Sequence, residues 1–329
     1  NDVDVKSSSV DDTTNDAIII SAPPTISSSS DGDDDGNQDP SLAVIFQSFV
    51  ALKSGSDVRG QFVDHSRVGS IRNISYAISS QQPDGSPPPL TPFSAYCYGQ
   101  AFANMVKIRT GKTHDGSVRD TETVIICLGR DPRLHGVRLA DSFARGVESI
   151  DGCRAVYTGL ATTPAMFEFC RADKCDGGVM ITASHLPEDR NGFKFFTKDD
   201  GFTKKDVDIL TENAMASARV WTDSNDLIPP SSSEGAVACS ECLDHMPHYE
   251  NTLREAIVRE VNHDDTEPSA VENDSTLVLL PPLLLAGLRI VLNAGNGAGY
   301  FFNQILSDFG ADVSNSMHLT PDGTFPTDT

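Results

Sequence analysis

The sequence is poor in basic residues and lacks a long hydrophobic run. Its 329 residues hold 25 Lys and Arg against 47 Asp and Glu, a formal net charge of −22. Because a phosphate backbone needs a basic surface, this deficit argues against a nucleic-acid partner, and it also disfavours anionic membranes. The longest apolar candidate, residues 277–285, is interrupted by Pro281 and Pro282 and is too short to cross a bilayer. The composition leaves the oligomeric state open.

The sequence has few cysteines, and their positions do not suggest a disulfide framework. The seven cysteines are odd in number and scattered along the chain, unlike the framework of a small secreted disulfide protein, so a reducing intracellular compartment is favoured. Cys239 and Cys242 form a lone C-x-x-C motif without the second pair that a zinc site needs. The motif lies in a Ser/Pro-rich stretch rather than at the start of a helix, so we interpret it as neither a redox motif nor a metal site.

Large apolar residues are nearly missing from residues 1–40, which carry ten Asp against one Lys together with runs of Ser. A segment of this composition cannot bury enough apolar surface to offset its chain entropy, so we predict a disordered acidic tail. It is not rich in Arg, as a transit peptide would be. From residue 42 the sequence becomes globular in composition, and its length is enough for two domains.

Helical and strand patterns alternate through the globular part, which predicts an α/β fold. Apolar residues at helical spacing predict helices over 41–53, 92–109, 164–171 and 204–219 and a further helix after Arg133. Short apolar runs predict strands over 123–128, 154–158, 178–182 and 192–197. After a Pro- and Ser-rich linker near 225–235, the pattern predicts helices over 249–261 and 300–309 and strands over 288–293 and 311–314.

The most informative motif is Thr182-Ala183-Ser184-His185-Leu186-Pro187, followed by Asn191-Gly192-Phe193-Lys194. It places a serine at the end of a buried strand, on a turn that Pro187 enforces, with a lysine ten positions on. Serine is a weak nucleophile unless a base, a metal or a covalent intermediate activates it. Ser184 and His185 are adjacent and do not form a ready-made dyad. For a lone Ser-His pair, a polar turn closing a βαβ unit would be the favoured interpretation.

The whole block resembles the active-site loop of the α-D-phosphohexomutases, the phosphoglucomutase and phosphomannomutase family. Further motifs of that family occur in the expected order: Asp57-Val58-Arg59-Gly60, Gly129-Arg130-Asp131-Pro132-Arg133, residues 158–165, residues 292–299 and Pro321-Asp322-Gly323-Thr324-Phe325-Pro326. The resemblance implies that Ser184 carries a phosphoryl group and that Lys194 is an acid/base. It further implies that Arg59, on a loop, faces the serine and that His185 lies beside the phosphate. We expect Arg130 and Arg133 to be structural, holding the turn after the first long strand.

The resemblance also implies a reaction and its cofactors. A phosphohexomutase moves a phosphoryl group between the 1- and 6-hydroxyls of a hexose phosphate, with Mg²⁺ and a hexose 1,6-bisphosphate primer. The metal ligand in this chain would be Ser184 through its phosphate, because the family's D-G-D-x-D-R loop does not follow residues 321–326 before Thr329. We therefore expect an N-terminal half that is inactive alone: a first domain over 41–225, a linker over 226–245 and a truncated second domain over 246–329.

One departure from the family pattern and one further motif keep alternatives open. Leu186 stands where the family usually has Asn, a variant typical of a plant or algal subgroup. The expected compartment is the cytoplasm or a plastid. Leu186 is also compatible with a non-catalytic protein that binds a sugar phosphate or regulates a partner. The turn Gly295-x-Gly297-x-Gly299 is a weak dinucleotide signal. We favour instead a turn whose glycines allow close packing of helix on strand.

Overall fold

The computed structural model describes residues 40–64, 71–81, 86–111, 123–172, 175–223, 237, 239, 241–261 and 283–327. The predicted acidic tail up to residue 39 and the linker core at 225–235 lie outside the described residues. The helices are α1 Pro40–Ala51, α2 Ile71–Gln81, α3 Pro92–Thr110, α4 Gly136–Glu148, α5 Thr163–Arg171, α6 Lys204–Asp223, α7 Met246–Val261 and α8 Phe302–Asp308. The strands are β1 Lys53–Ser54, β2 Asp57–Phe62, β3 Pro89–Leu90, β4 Val124–Arg130, β5 Cys153–Leu160, β6 Gly177–Ile181, β7 Arg190–Thr197 and β8 Glu241–Cys242.

All eight strands form one mixed sheet, with the order β1-β2-β7-β6-β4-β5-β8 and β3 paired to β2. Strands β5, β4 and β6 run parallel, whereas β7 is antiparallel to both β6 and β2. This confirms the α/β prediction and the four predicted strands. One expectation is wrong: Arg59 lies in strand β2, not in a loop. The short β8, inside the segment predicted as a linker, extends the sheet beside β5.

The larger core lies between the sheet and helices α1, α3, α4 and α6. Helix α3 is buried over most of its length, and it begins at Thr91 with a capping box and ends at Gly111 in the left-handed conformation. Its contact with α4 is made at glycines: a Cβ on Gly99 would lie 2.2 Å from the Phe143 carbonyl oxygen, and one on Gly146 would lie 2.1 Å from that of Tyr96. The two backbones can therefore touch. Although α3 has 19 residues, no helix among the described residues is long and apolar enough to cross a membrane.

The opposite face of the sheet carries α5 and a smaller core around Phe169 and Met180. Helix α7 follows, and its Leu253, Ile257 and Val258 pack with α8 into a third cluster. In this second region, residues 246–261 and 283–327, the predicted strands appear only as two parallel bridges, Arg289 to Asp312 and Asn293 to Met317. The described residues of the predicted first domain therefore form an α/β unit with helices on both faces of the sheet.

Candidate active site on the serine turn

Ser184 follows the end of β6 on an exposed turn and adopts a positive φ of 57°. L-residues with a side chain rarely occupy this left-handed region, which costs about 1–2 kcal/mol. The turn is held from below by side chains. The Ser184 amide donates to the Thr182 hydroxyl at 3.0 Å, and that hydroxyl donates to the Asp131 carboxylate at 2.6 Å. A strained, exposed hydroxyl on a fixed support is a common arrangement at functional sites.

Arg133 fixes the rest of the turn. Its side chain is 1% exposed and pairs with the Asp131 carboxylate at 3.1 Å. The guanidinium donates to four carbonyl oxygens, those of Ser184 (3.0 Å), Leu186 (2.7 Å), Pro187 and Arg190 (3.1 Å). Its planar fork can satisfy several acceptors at once. Arg133 is structural, as expected, but the segment that it holds is the serine turn itself. Leu186 contributes its carbonyl to this network.

Arg59 and Lys194 lie on adjacent strands and share one carboxylate. Asp57 and Lys194 are opposite each other in the β2–β7 register. Asp57 Oδ2 accepts from Lys194 Nζ at 2.7 Å and from Arg59 Nη2 at 2.7 Å. The Asp57, Arg59 and Lys194 side chains are 15%, 11% and 28% exposed. These partly buried charges are therefore compensated locally.

Arg59 also reaches the strand that leads to the serine. Its Nη1 donates to the Thr182 carbonyl, two residues before Ser184. The close approach depends on Gly192, the partner of Arg59 in β7. A Cβ there would lie 2.1 Å from the Val58 carbonyl oxygen and 2.9 Å from Arg59 Cδ. The structure thus brings Arg59 to the serine turn and links it to Lys194 through Asp57, whereas His185 is exposed on the turn.

A cleft of about 340 Å³ opens above the turn. Ser184 and Arg133 line one side of it, and the other side consists of second-region residues: Asn293, Ala294, Gly295, Gly297, Phe325 and Thr327. The two regions touch beside it. The Arg133 guanidinium lies 4.9 Å from the Phe325 ring centroid, a cation–π distance. A Cβ on Gly323 would lie 2.3 Å from the Pro132 carbonyl oxygen. The resulting cleft puts the serine opposite the glycine-rich turn.

That turn does not have the role we expected for its glycines. Gly295 and Asn296 adopt positive φ angles of 53° and 56°. A Cβ on Gly295 or Gly299 would meet no described atom within 4 Å, so close helix–strand packing does not explain either residue. Asn296 organises the loop: its side chain donates to the Thr320 carbonyl at 2.9 Å and accepts from the Thr327 hydroxyl at 2.6 Å. The expectation of glycines for helix–strand packing is therefore wrong for Gly295 and Gly299, whereas a Cβ on Gly297 would lie 3.1 Å from the Ala294 carbonyl oxygen of the same turn.

The sequence analysis missed three parts of this site. Asp57 was part of a quoted motif but had no assigned role, and the support through Asp131 and Thr182 was not foreseen. The third is the reach of Arg133 to the serine turn. Each includes a contact of a polar side chain with a residue more than 50 positions away, which residue spacing does not encode. The G-R-D-P-R and D-V-R-G motifs were the available signals.

Comparison with known proteins agrees with this geometry. Residues 84–219 match the family model described as phosphoglucomutase/phosphomannomutase, alpha/beta/alpha domain I. A phosphoglucosamine mutase of Symbiobacterium thermophilum is 31% identical over 235 residues, covering 71% of this chain and 43% of that protein. One of Paramagnetospirillum magneticum is 31% identical over 201 residues, covering 60% and 38%. The chain thus spans less than half the length of these relatives.

The fold is also shared with a solved structure. A phosphoglucomutase/phosphomannomutase family protein of Burkholderia thailandensis aligns with a TM-score of 0.50 at 20% identity, covering 84% of this chain and 46% of that one. The described residues thus contain a domain I of the phosphohexomutase type. The chain belongs to the α-D-phosphohexomutase family. Its assignment to a plant or algal subgroup stays a prediction.

Proposed function

We propose that this chain carries the phosphoserine centre of a phosphohexomutase. The complete protein would move a phosphoryl group between the 1- and 6-hydroxyls of a hexose phosphate through a bisphosphosugar. The observation that supports this most is the serine turn: Ser184 is exposed at positive φ and faces a cleft, and one buried arginine donates four hydrogen bonds to carbonyls of residues 184–190. Backbone strain held in place in this way is typical of functional sites.

In the proposed step, the bond from phosphorus to Ser184 Oγ breaks, the phosphoryl group bonds to a sugar hydroxyl oxygen, and the proton of that hydroxyl is transferred to Oγ. Lys194, which pairs with Asp57, is proposed as the general acid/base that relays this proton at the sugar hydroxyl, and it would relay a proton in the same way in the return step. Arg59 uses two of its five N–H donors on Asp57 and Thr182, and we propose that the guanidinium also contacts the phosphoryl oxygens. His185 would lie beside the phosphate as a donor.

Mg²⁺ is proposed through the family resemblance alone. Among the described residues, no cluster of three or more carboxylates or imidazoles with metal-ligand spacing lies at Ser184. The serine phosphate would contribute oxygens to the octahedral shell that magnesium prefers. A hexose 1,6-bisphosphate would serve as the primer that first phosphorylates Ser184.

The hexose is a second part of the proposal. Two matched relatives are named phosphoglucosamine mutases, which makes glucosamine phosphate a candidate beside glucose and mannose phosphates. The test is a coupled assay of the full-length protein with each 1-phosphate, Mg²⁺ and the matching bisphosphate. We expect turnover with at least one sugar and its loss in Ser184→Ala. Equal turnover in that variant would contradict the assignment of Ser184, and no turnover with any sugar, together with sugar-phosphate binding, would favour the non-catalytic alternative.

A further inference from the structure

Three cysteines meet inside the first domain, one of them distant in the sequence from the other two. Cys127 lies in β4, Cys170 in α5, and Cys175 two residues before β6. The Cys127 and Cys175 sulfurs are 2.8 Å apart, and Cys170 Sγ lies 3.6 Å from the first and 3.5 Å from the second. Their ligand atoms form the one group of this kind found among the described residues. The scattered positions of these residues hid the cluster from sequence analysis.

The cluster is closed to solvent and shaped for sulfur. Cys127 and Cys170 are fully buried and Cys175 is 6% exposed, within an apolar core that includes Phe169, Met180 and Phe196. Gly178 leaves the space that the thiols occupy, because a Cβ there would lie 2.3 Å from Cys170 Sγ and 2.9 Å from Cys127 Sγ. The absence of a side chain at Gly178 thus makes room for two of the three sulfurs.

We propose that Cys127, Cys170 and Cys175 bind a thiophilic d¹⁰ cation, Zn²⁺ or Cu⁺. Soft thiolate ligands select these ions over Mg²⁺, and structural metal sites are closed to solvent, as this one is. Two thiolates each about 2.3 Å from a tetrahedral ion are roughly 3.8 Å apart. The two contacts of Cys170 are near that separation, and the Cys127–Cys175 pair would have to open by roughly 1 Å. The site is separate from the serine turn and does not rest on the proposed function.

Binding would exchange protons for metal. As each sulfur–metal bond forms, any remaining S–H bond breaks and its proton leaves to solvent. The two ions differ in what they need. Three thiolates leave less net charge with Zn²⁺ than with Cu⁺, whereas structural Zn²⁺ normally has a fourth ligand.

The experiment uses the full chain with Cys239 and Cys242 changed to Ser, because that exposed pair, with sulfurs 3.4 Å apart, could also bind metal. The reduced protein is incubated with Zn²⁺ or with Cu⁺, desalted, and analysed for bound metal and for thermal unfolding. We expect about one ion per chain from at least one metal, and an unfolding midpoint several degrees higher than that of the metal-free protein. The ion that the protein retains more strongly after desalting is the one that the cysteine site prefers.

Variants localise the ion. Cys170→Ser and Cys127→Ala should each lose it, whereas Cys153→Ser, which changes a buried cysteine outside the cluster, should retain it. Should a variant fail to fold, protection of the three thiols from alkylation by bound metal in the parent protein answers the same question. Absence of both ions from fully reduced protein would overturn the proposal. So would retention of the ion without the triad, or a Cys127–Cys175 disulfide that persists under reducing conditions.

Discussion

Asp57 and Lys194 face each other across β2 and β7, with Oδ2 and Nζ 2.7 Å apart. The same oxygen accepts from Arg59 Nη2 at 2.7 Å. One carboxylate therefore holds both cations that the resemblance assigns to the reaction. Arg59, held by this carboxylate, also donates to the Thr182 carbonyl on the strand that leads to Ser184. Asp57 is thus a positioning residue for the proposed chemistry.

Asp57→Asn tests this role. The amide keeps the shape of the side chain but removes the charge that binds Lys194 and Arg59, so we expect phosphoryl transfer by the full-length protein to fall about a hundred-fold, the lower range of acid–base effects. The loss of charged hydrogen bonds should lower the free energy of unfolding by about 1–3 kcal/mol. Asp208→Asn is the control, because Asp208 binds Lys53 at the same 2.7 Å but is exposed. Unchanged kcat in Asp57→Asn would exclude the role.

Arg133→Lys should uncouple the serine turn from the domain. A lysine keeps the positive charge, but its ammonium cannot donate hydrogen bonds to all four carbonyl oxygens, those of Ser184, Leu186, Pro187 and Arg190. Buried acceptors left without partners should cost about 3–5 kcal/mol of unfolding free energy, and phosphorylation of Ser184 should become slow. Arg154→Lys provides the exposed control, since the Arg154 guanidinium pairs with the exposed Glu241 carboxylate at 3.3 Å. Equal denaturation midpoints for the two variants would contradict this account.

Gly192→Ala tests the approach of β7 to Arg59. A methyl group 2.1 Å from the Val58 carbonyl oxygen cannot be accommodated without moving the backbone. We expect a loss of about 1–3 kcal/mol in chemical denaturation, as for other overpacked sites. In Gly201→Ala the nearest atom is the Phe195 carbonyl oxygen at 3.9 Å, an ordinary contact, so that variant should unfold like the parent. A Gly192→Ala protein of parental stability would show that β7 and β2 are placed wrongly.

Much of the first domain follows from the sequence because its elements carry local signals. Thr91 and Gly111 mark the ends of α3, and the apolar runs mark β4, β5 and β6. The sequence Asp-Val-Arg-Gly-Gln-Phe predicts a loop where the structure has β2, because polar residues and a glycine interrupt the apolar pattern of a strand. Its identity comes from pairing with β7, a contact more than 120 residues away in sequence.

The site was predictable only in part. The motif singles out Ser184, and the resemblance adds Lys194, Arg59 and His185; their proposed roles stay predictions. The spacing of residues in the sequence does not show which side chains contact each other in the fold. The support by Arg133, the shared carboxylate of Asp57 and the meeting of Cys127 with Cys170 and Cys175 all join distant segments. Such contacts arise from the strand order of the sheet, which brings β4, β6, β7 and β2 together.

The strained conformation of Ser184 gives a prediction about stability. Glycine adopts φ near 57° without the clash that a Cβ causes, so Ser184→Gly should be about 1 kcal/mol more stable than Ser184→Ala. At Ser149, where φ is −74°, the order should reverse because alanine limits the unfolded chain more than glycine does. Thermal unfolding of the four variants measures both differences. The same order at the two positions would contradict a strained serine turn.

The central claim is that Ser184 carries the phosphoryl group. The most direct measurement is intact mass with peptide mapping of the full-length protein after incubation with a hexose 1,6-bisphosphate and Mg²⁺, with Ser184→Ala in parallel. The account predicts one added phosphate, located on Ser184 and missing from the variant. Stoichiometric phosphate on another residue, or equal phosphorylation of Ser184→Ala, would contradict it.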